Sequence, residues 1–486
     1  MNKVYFNPDY YIKWDQFRAI LFSKYECSNG GKKNWASYIH PLHALIFALF
    51  SQEHDIEKNI LYISSISGLQ EESIQHFISS LIEKPESCTI YLADDYFVIP
   101  KNIFILKRTD HLQNNLTKII DECLKVQKVD FKTKRDFVSP LSFTWMINNK
   151  CTVDCTYCYA DTVTKTNEVD LNIFEKVIKE SYELNIQKID LIGGDFFVKK
   201  EWWKYLKLLI DYRFSPEFLS TKKPLSNDEI ILLNSLNYKG VLQFSIDSLN
   251  PNTLRKMIHN GDSYLKKFHN MIKSISSLAK NNISFLFRIS TVITRHNYEE
   301  NEINNLRKYF RELNFVSEWE IRFAMPSIYK TNEYLCTKDQ IENATGVINK
   351  IIDEEANLNI TFIPFSDNEN REKCILGKDE NKDYRCSANL HHFFVLPNGD
   401  VTICEQLYWH PYFIIGNVKK QTIEEIWTSD KANSLNRVEN IQDNSPCHSC
   451  NLNSLCFENS KRCWVDVIKK FGLNKWSFPD PICNQT

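Results

Sequence analysis

Between Pro140 and Pro326 short apolar runs alternate with longer stretches whose apolar residues recur at helical spacing. The runs LSFTWMIN, KIDLIGG, PEFLST, VLQFSID, SFLFRISTVI and EWEIRFAMP predict strands. The intervening LNIFEKVIKESYELN, KEWWKYLKLLIDYR, DEIILLNSLN, DSYLKKFHNMIKSISSLAKNN and YEENEINNLRKYFREL predict helices. Such alternation implies a parallel sheet with right-handed crossovers, hence the α/β class. Six such strands with helices between them over residues 139–335 predict a partial (β/α)6 barrel of the TIM type. Its functional rim lies at the C-terminal ends of the strands.

The flanking regions differ in texture. In residues 1–108, YYIKWDQFRAILFSKY predicts two short strands and PLHALIFALFSQE a helix starting at Pro41. DIEKNILYISSIS and QEESIQHFISSLIEK predict two more helices, the last with Ile74, Phe77, Ile78, Leu81 and Ile82 on one face. CTIYLADDYFVIP predicts a strand pair turning at Ala93-Asp94-Asp95, which completes a winged-helix-like domain. Residues 109–138 predict a linking helix, and 336–373 a connecting segment. In 374–486 regular structure thins: HHFFVLPNGDVTIC predicts a hairpin turning at Asn398-Gly399, and TIEEIWTSDKANSLNRV a helix capped by Thr422.

Charge and hydropathy narrow the function. The 486 residues are 43% hydrophobic and 25% charged with a net charge of −2, which leaves no electrostatic footprint for nucleic acid. The basic run from Lys125 to Arg135 predicts a solvated helix face. No apolar stretch is long enough to span a bilayer and the N-terminus lacks a signal-peptide core, so a cytoplasmic location is expected and no membrane partner. In a reducing compartment clustered cysteines are metal ligands more often than disulfides. Of 15 cysteines, Cys27, Cys88, Cys123 and Cys336 are scattered and predict small buried hydrophobes; the rest are clustered.

Cys151, Cys155 and Cys158 follow the first barrel strand with spacing C-x3-C-x2-C. Three thiolates hold three irons of a [4Fe–4S] cluster and leave the fourth open; the alternative is a zinc site with a distant fourth ligand. With Tyr157 before its third cysteine, the pattern resembles the radical S-adenosylmethionine (SAM) family. The resemblance implies that SAM chelates the open iron and is reductively cleaved to a 5′-deoxyadenosyl radical, the electron coming from a donor such as flavodoxin or ferredoxin. It implies a SAM-binding stretch at Gly193-Gly194-Asp195, where the family carries Gly-Gly-Glu. Ser220 and Thr221 at the end of the third strand, and Ser245 and Asp247 at the end of the fourth, point polar groups to the same rim. The resemblance implies that Ser245 contacts SAM, and Asp247 is balanced against a helix-capping role. Arg288 is implied for the SAM carboxylate, against an internal ion pair, and the Tyr157 backbone for the adenine.

Downstream, NGDVTIC and CHSCNLNSLC are similar to the SPASM extension of that family, which implies two auxiliary [4Fe–4S] clusters. The family's interleaved connectivity implies Cys374, Cys386, Cys404 and Cys463 for the nearer cluster and Cys447, Cys450, Cys456 and Cys483 for the outer one. The C-x6-C spacing of Cys456 and Cys463 departs from the family's C-x3-C. Zinc knuckles that borrow His391, His392, His410 or His448 are the alternative. The N-terminal domain resembles the small PqqD-like leader-recognition domain of enzymes that modify ribosomally made peptides, its docking surface being YYIKW…AILFSKY with the helix QEESIQHFISSLIEK. Together the resemblances imply a peptide maturase that installs a thioether, C–C or C–O cross-link in a precursor peptide. Formylglycine formation in a sulfatase, or a cluster-binding adaptor without catalysis, are the alternatives. No general base stands out.

Overall fold

The computed structural model describes residues 3–23, 36–92, 95–106, 116–161, 164, 167–365, 386–407, 410–458 and 462–483. Cys27, Cys374 and the turn residues Ala93 and Asp94 lie outside them. The chain divides into two compact units: Met1–Ser142 with Glu180–Lys188, and Phe143–Lys179 with Ile189–Thr486.

The first unit runs β1 (Tyr5–Phe6), β2 (Tyr10–Asp15), β3 (Arg18–Ser23), β4 (Ala36–Ile39), α1 (Pro41–Leu49), α2 (Ile56–Ser67), α3 (Glu71–Leu81), β5 (Cys88–Leu92), β6 (Asp95–Ile99), β7 (Phe104–Ile105) and α4 (Thr117–Leu124). β2, β3 and β4 form an antiparallel sheet, and β5 and β6 form the wing. Pro41 opens α1 because its missing N–H is an orphan there anyway. Asp55 caps α2 by accepting from the amides of Glu57 and Lys58. Gly68 ends α2 in the left-handed region, φ 70°, which only glycine adopts without strain. Ile74, Ile78 and Leu81 of α3 are buried and Phe77 packs beside them, as the periodicity predicts.

Two expectations are corrected here. The linking helix is short, α4 alone, and the basic run after it is no helix face. A buried ion pair explains why. Arg18 and Asp15, both fully buried, bond at 3.0 Å. The Arg18 guanidinium also donates to the carbonyls of Asp130, Thr133 and Arg135, while Asp15 Oδ1 accepts from the amides of Phe137 and Val138. Those backbone groups are claimed by side chains and so are lost to a helical ladder. The second correction concerns β2 and β3. Their residues are almost all buried, with Lys13 donating to Ser139, so this hairpin is core and offers no docking face.

The second unit opens with β8 (Ser142–Met146). It continues through α5 (Leu171–Glu183), which straddles the two units, β9 (Lys188–Ile192), α6 (Trp202–Asp211), β10 (Phe218–Thr221), α7 (Asn227–Ser235) and β11 (Val241–Ser245). Then come α8 (Pro251–Ile258), α9 (Asp262–Ala279), β12 (Leu286–Ile293), α10 (Glu300–Arg311), β13 (Val316–Phe323), α11 (Lys338–Glu354) and β14 (Ile360–Ile363). All six predicted barrel strands are present. β10 to β14 form a parallel sheet in chain order, β14 being a strand the pattern did not announce. On β13, Trp319, Ile321 and Phe323 are buried on one face, Trp319 edge-on to Phe310 of α10. The intervening Glu318, Glu320 and Arg322 therefore share the opposite face.

β8 and β9 belong to a second sheet with β15 (His392–Val395), β16 (Asp400–Thr402) and β17 (Ile414–Asn417), in the order β17-β16-β15-β8-β9. The C-terminal hairpin thus extends the first barrel strand. It turns at Gly399, φ 91°. The predicted C-terminal helix is two short ones, α12 (Ile423–Trp427) with a Thr422–Glu425 capping box and α13 (Asp430–Ser434), because Ser429 caps a second start. α14 (Asn453–Glu458) and α15 (Trp464–Phe471) follow. Among the described residues no helix is long and apolar enough to cross a membrane.

In the first unit His43 packs against Phe77 and Phe97, and its buried Nδ1 meets no partner among the described residues. Burial lowers its pKa from 6.5 to about 3. The unfolded chain therefore binds a proton that the folded one refuses, and stability falls as pH drops from about 6.5 toward 3. The limiting slope for one proton is about 1.4 kcal/mol per pH unit. His43→Leu should flatten the fall of the first unit's melting temperature between pH 6.5 and pH 4.5, read by thermal denaturation; an unchanged slope contradicts the assignment.

Candidate functional site

The loop after β8 carries Cys151, Cys155 and Cys158, and two neighbours hold it. Gly194 N donates to Asn148 O at 2.9 Å and Asp195 N to Lys150 O at 2.8 Å. The buried Asn148 side chain donates to Asp195 O at 3.0 Å and accepts from Lys150 N at 2.8 Å. A Cβ at Gly193 would come 2.8 Å from Asn148 O, and one at Gly194 would overlap the Lys150 backbone. The two glycines let the end of β9 lie directly on the cysteine loop. On the other side Thr156 N donates to Met257 O at the end of α8, and Ser327 Oγ donates to Cys158 O at 3.0 Å.

Asp195 is 3% exposed and fully engaged. Oδ1 accepts from Phe197 N, and Oδ2 from Thr221 Oγ1 at 2.7 Å and the amides of Lys222 and Lys223 at 3.0 Å. Burial raises its pKa although these donors pull the other way. The carboxylate thus ties the ends of β9 and β10 together.

A buried triad sits beside Cys155. Tyr157 Oη donates to Asp247 Oδ2 at 2.5 Å, and Lys222 Nζ reaches Asp247 Oδ2 at 2.7 Å and Tyr157 Oη at 2.8 Å. Asp247 Oδ1 accepts from Val292 N at 3.0 Å, so it braces β11 to β12 and caps no helix; Asn250 caps α8. The side chains of Asp247 and Lys222 are 0% and 11% exposed, and a buried pair of this kind is costly to break from one side.

Burial is also the main influence on the thiols. It pushes Cys155 up to about 12, and raises Cys151, which feels both Cys155 and Cys158 electrostatically. Metal ligation would have to deprotonate them, as coordination to a cation does. Farther along, Cys404 feels Cys386 and Cys463, while Cys447 and Cys456 each feel Cys450 and Cys483. Ten of the thirteen described cysteines therefore gather as three, three and four, Cys88, Cys123 and Cys336 being outside these groups, and all thirteen are free thiols. Among the described residues no three ligating side chains converge on a single ion position. A cubane asks for one thiolate per iron, spread over its corners, so the groups of soft donors fit a cluster.

Residues 145–306 match the model of the radical SAM superfamily, and residues 386–451 that of the iron–sulfur cluster-binding SPASM domain. The chain carries a radical SAM domain followed by a SPASM domain. It is an enzyme. No curated protein matches it. Among solved structures it is similar to Streptococcus suis SuiB bound to S-adenosylmethionine, at 15% identity and TM-score 0.63 over 99% of this chain and 100% of that one. SuiB bound to precursor peptide SuiA matches at 16% identity with the same coverage and TM-score. At such identity the likeness speaks for the fold.

Within the radical SAM domain the remaining rim residues fall in two sets. Ser245 ends β11 and pairs with Ser290, and its carbonyl accepts from Tyr264 Oη. Ser220 lies lower on β10, accepting from Gln243 Nε2 at 3.2 Å. Arg288 is committed elsewhere: its guanidinium pairs with Glu318 at 3.2 Å and with Glu320, the internal ion pair weighed from sequence. Lys222 was missed, although its place just after the third strand's Ser220-Thr221 is a rim position. Tyr159 and Glu405 were missed too. Each follows a cluster-type cysteine, and they approach at 3.5 Å.

Gly194→Ala should lower the melting temperature, the overlap with Lys150 costing about 1–3 kcal/mol, and should reduce the iron bound by the triplet. Normal iron content and stability in that variant would contradict the packing role.

Proposed function

We propose that this radical SAM/SPASM enzyme is a peptide maturase that installs an intramolecular thioether, C–C or C–O cross-link in a ribosomally made precursor peptide. The observation that carries the reading is the gathering of ten described cysteines into a triplet on the β8 loop and two groups in the SPASM region. Cys151, Cys155 and Cys158 would hold the SAM-binding cluster. Cys386, Cys404 and Cys463, with Cys374, would hold the nearer auxiliary cluster, and Cys447, Cys450, Cys456 and Cys483 the outer one. The bound cluster and SAM supply a 5′-deoxyadenosyl radical, and the auxiliary clusters an electron sink.

The chain's own residues supply position. The Lys222–Tyr157–Asp247 triad fixes the middle of the triplet loop. Gly193, Gly194 and Asp195 press its start against the β9 rim, beside which the SAM amino group would sit. Ser245 offers a rim hydroxyl at the end of β11. With Arg288 paired to Glu318 and Glu320, the SAM carboxylate takes another partner.

The peptide would dock by its leader on the first unit. Since β2 and β3 are buried, the wing is the better surface, and Tyr91 and Tyr96 on it are 76% and 68% exposed. β5 and β6 form a two-stranded ribbon whose β6 side meets β4 through Val98 N donating to Ser37 Oγ at 3.1 Å, so the added strand would take the β5 edge. An added strand gains main-chain hydrogen bonds there, and the tyrosines add contact area. The SuiB structure with precursor peptide SuiA supports a peptide partner. A folded sulfatase substrate has no use for such a clamp, which sets formylglycine formation second.

The test combines the reconstituted chain, SAM, a low-potential reductant and the candidate precursor. About twelve irons per chain, release of 5′-deoxyadenosine and a product lighter by two hydrogens are expected. Tyr91→Ala with Tyr96→Ala should weaken leader binding at least several-fold by fluorescence anisotropy. No SAM cleavage with the precursor present would overturn the reading.

A further inference from the structure

Arg462 precedes Cys463, is 2% exposed, and carries a fixed positive charge. Its guanidinium donates to the carbonyls of Trp476 at 3.1 Å and Phe478 at 2.5 Å. It lies over the rings of Phe457 at 4.2 Å and Trp464 at 4.6 Å. Its buried Nε meets no acceptor among the described residues. These contacts orient the group, and none of them is with an anion. Asp480 acts on it at longer range, but its oxygens accept from Cys463 N at 2.9 Å and Ile482 N at 3.2 Å. A buried cation is costly unless it is answered at contact range, which Asp480 does not do.

An anion at contact range has a place. Cys447 lies within hydrogen-bonding reach of the guanidinium, and Cys456 within its electrostatic reach. Cys450 and Cys483 complete the group. Four thiolates leave an oxidised cubane core with a net negative charge, and reduction by one electron increases it.

We propose that Arg462 is the built-in counter-cation of the outer cluster, holding that cluster in place and raising its reduction potential. The inference rests on the reading that Cys447, Cys450, Cys456 and Cys483 bind an iron–sulfur cluster. A cation at contact range in a dry site stabilises the more negative, reduced state over the oxidised one. Arg462 is thereby a positioning and tuning residue that makes the outer site a better electron acceptor.

The test uses the full chain with Cys151, Cys155 and Cys158 replaced by alanine, so that only the auxiliary sites report. Iron and sulfide per chain and an EPR-monitored redox titration are compared for Arg462, Arg462→Lys and Arg462→Gln. Arg462→Gln should either lose about four irons or keep them with the outer cluster's potential moved to more negative values. Arg462→Lys, which keeps the charge and changes the shape, should retain both iron and potential near the parent. Arg462→Gln indistinguishable from the parent in both readouts overturns the proposal, and so does Arg462→Lys failing as Arg462→Gln does, since shape rather than charge would then matter. Cys447→Ala separates the underlying reading: if it removes no iron from the parent, the outer site holds no cluster and the proposal falls with that reading.

Discussion

Gly194 donates its amide to Asn148 O, Asp195 donates to Lys150 O, and no side chain could stand between them. This backbone-to-backbone contact joins the end of β9 to the loop that carries the cysteines. Asn148, fully buried, closes it from the other side. The triplet's geometry is inherited from this contact, since the cysteines otherwise stand on a loop without secondary structure of its own. The second-strand glycines serve the protein's own packing at least as directly as they serve a ligand.

Around that contact, charge is arranged so that each buried group is answered. Asp195 takes four donors, Asp247 takes Lys222 and Tyr157, and Arg288 takes Glu318 and Glu320. In the first unit Arg18 answers Asp15 and gathers three carbonyls of the segment leading to β8. Unanswered burial is expensive in a dry interior, so these groups define unique arrangements more than they add stability. Arg462 departs from the pattern in having no anion at contact range among its hydrogen-bond and ring partners, which is why it points to the neighbouring thiolates.

Much of this was legible in the chain because it depends on period and spacing. Alternation of apolar runs placed the six barrel strands, and three helices of the first unit began where Pro41, Asp55 and the Ile74–Ile78 face require. Cysteine spacing separated the triplet from the later groups. What escaped depends on contacts distant in sequence. The strap after α4 is held by Arg18, more than a hundred residues away, while the local signal is only a turn in which Asp130 accepts from the amides of Lys132 and Thr133. The addition of β15 to β8 joins strands some 250 residues apart, where Thr144 Oγ1 meets His392 Nε2. The partners that Asp247 and Arg288 take, Val292 and Glu320, likewise lie on neighbouring strands tens of residues away.

The account turns on three thiolates leaving one iron open. Its most direct measurement is Mössbauer spectroscopy of a chain whose auxiliary cysteines are replaced, enriched in iron-57 and holding the triplet's cluster alone. Adding SAM should shift about one quarter of the signal, the single iron that lacks a cysteine, and leave the rest unchanged. A spectrum insensitive to SAM, or a site that binds one zinc in place of a cluster, would contradict the account.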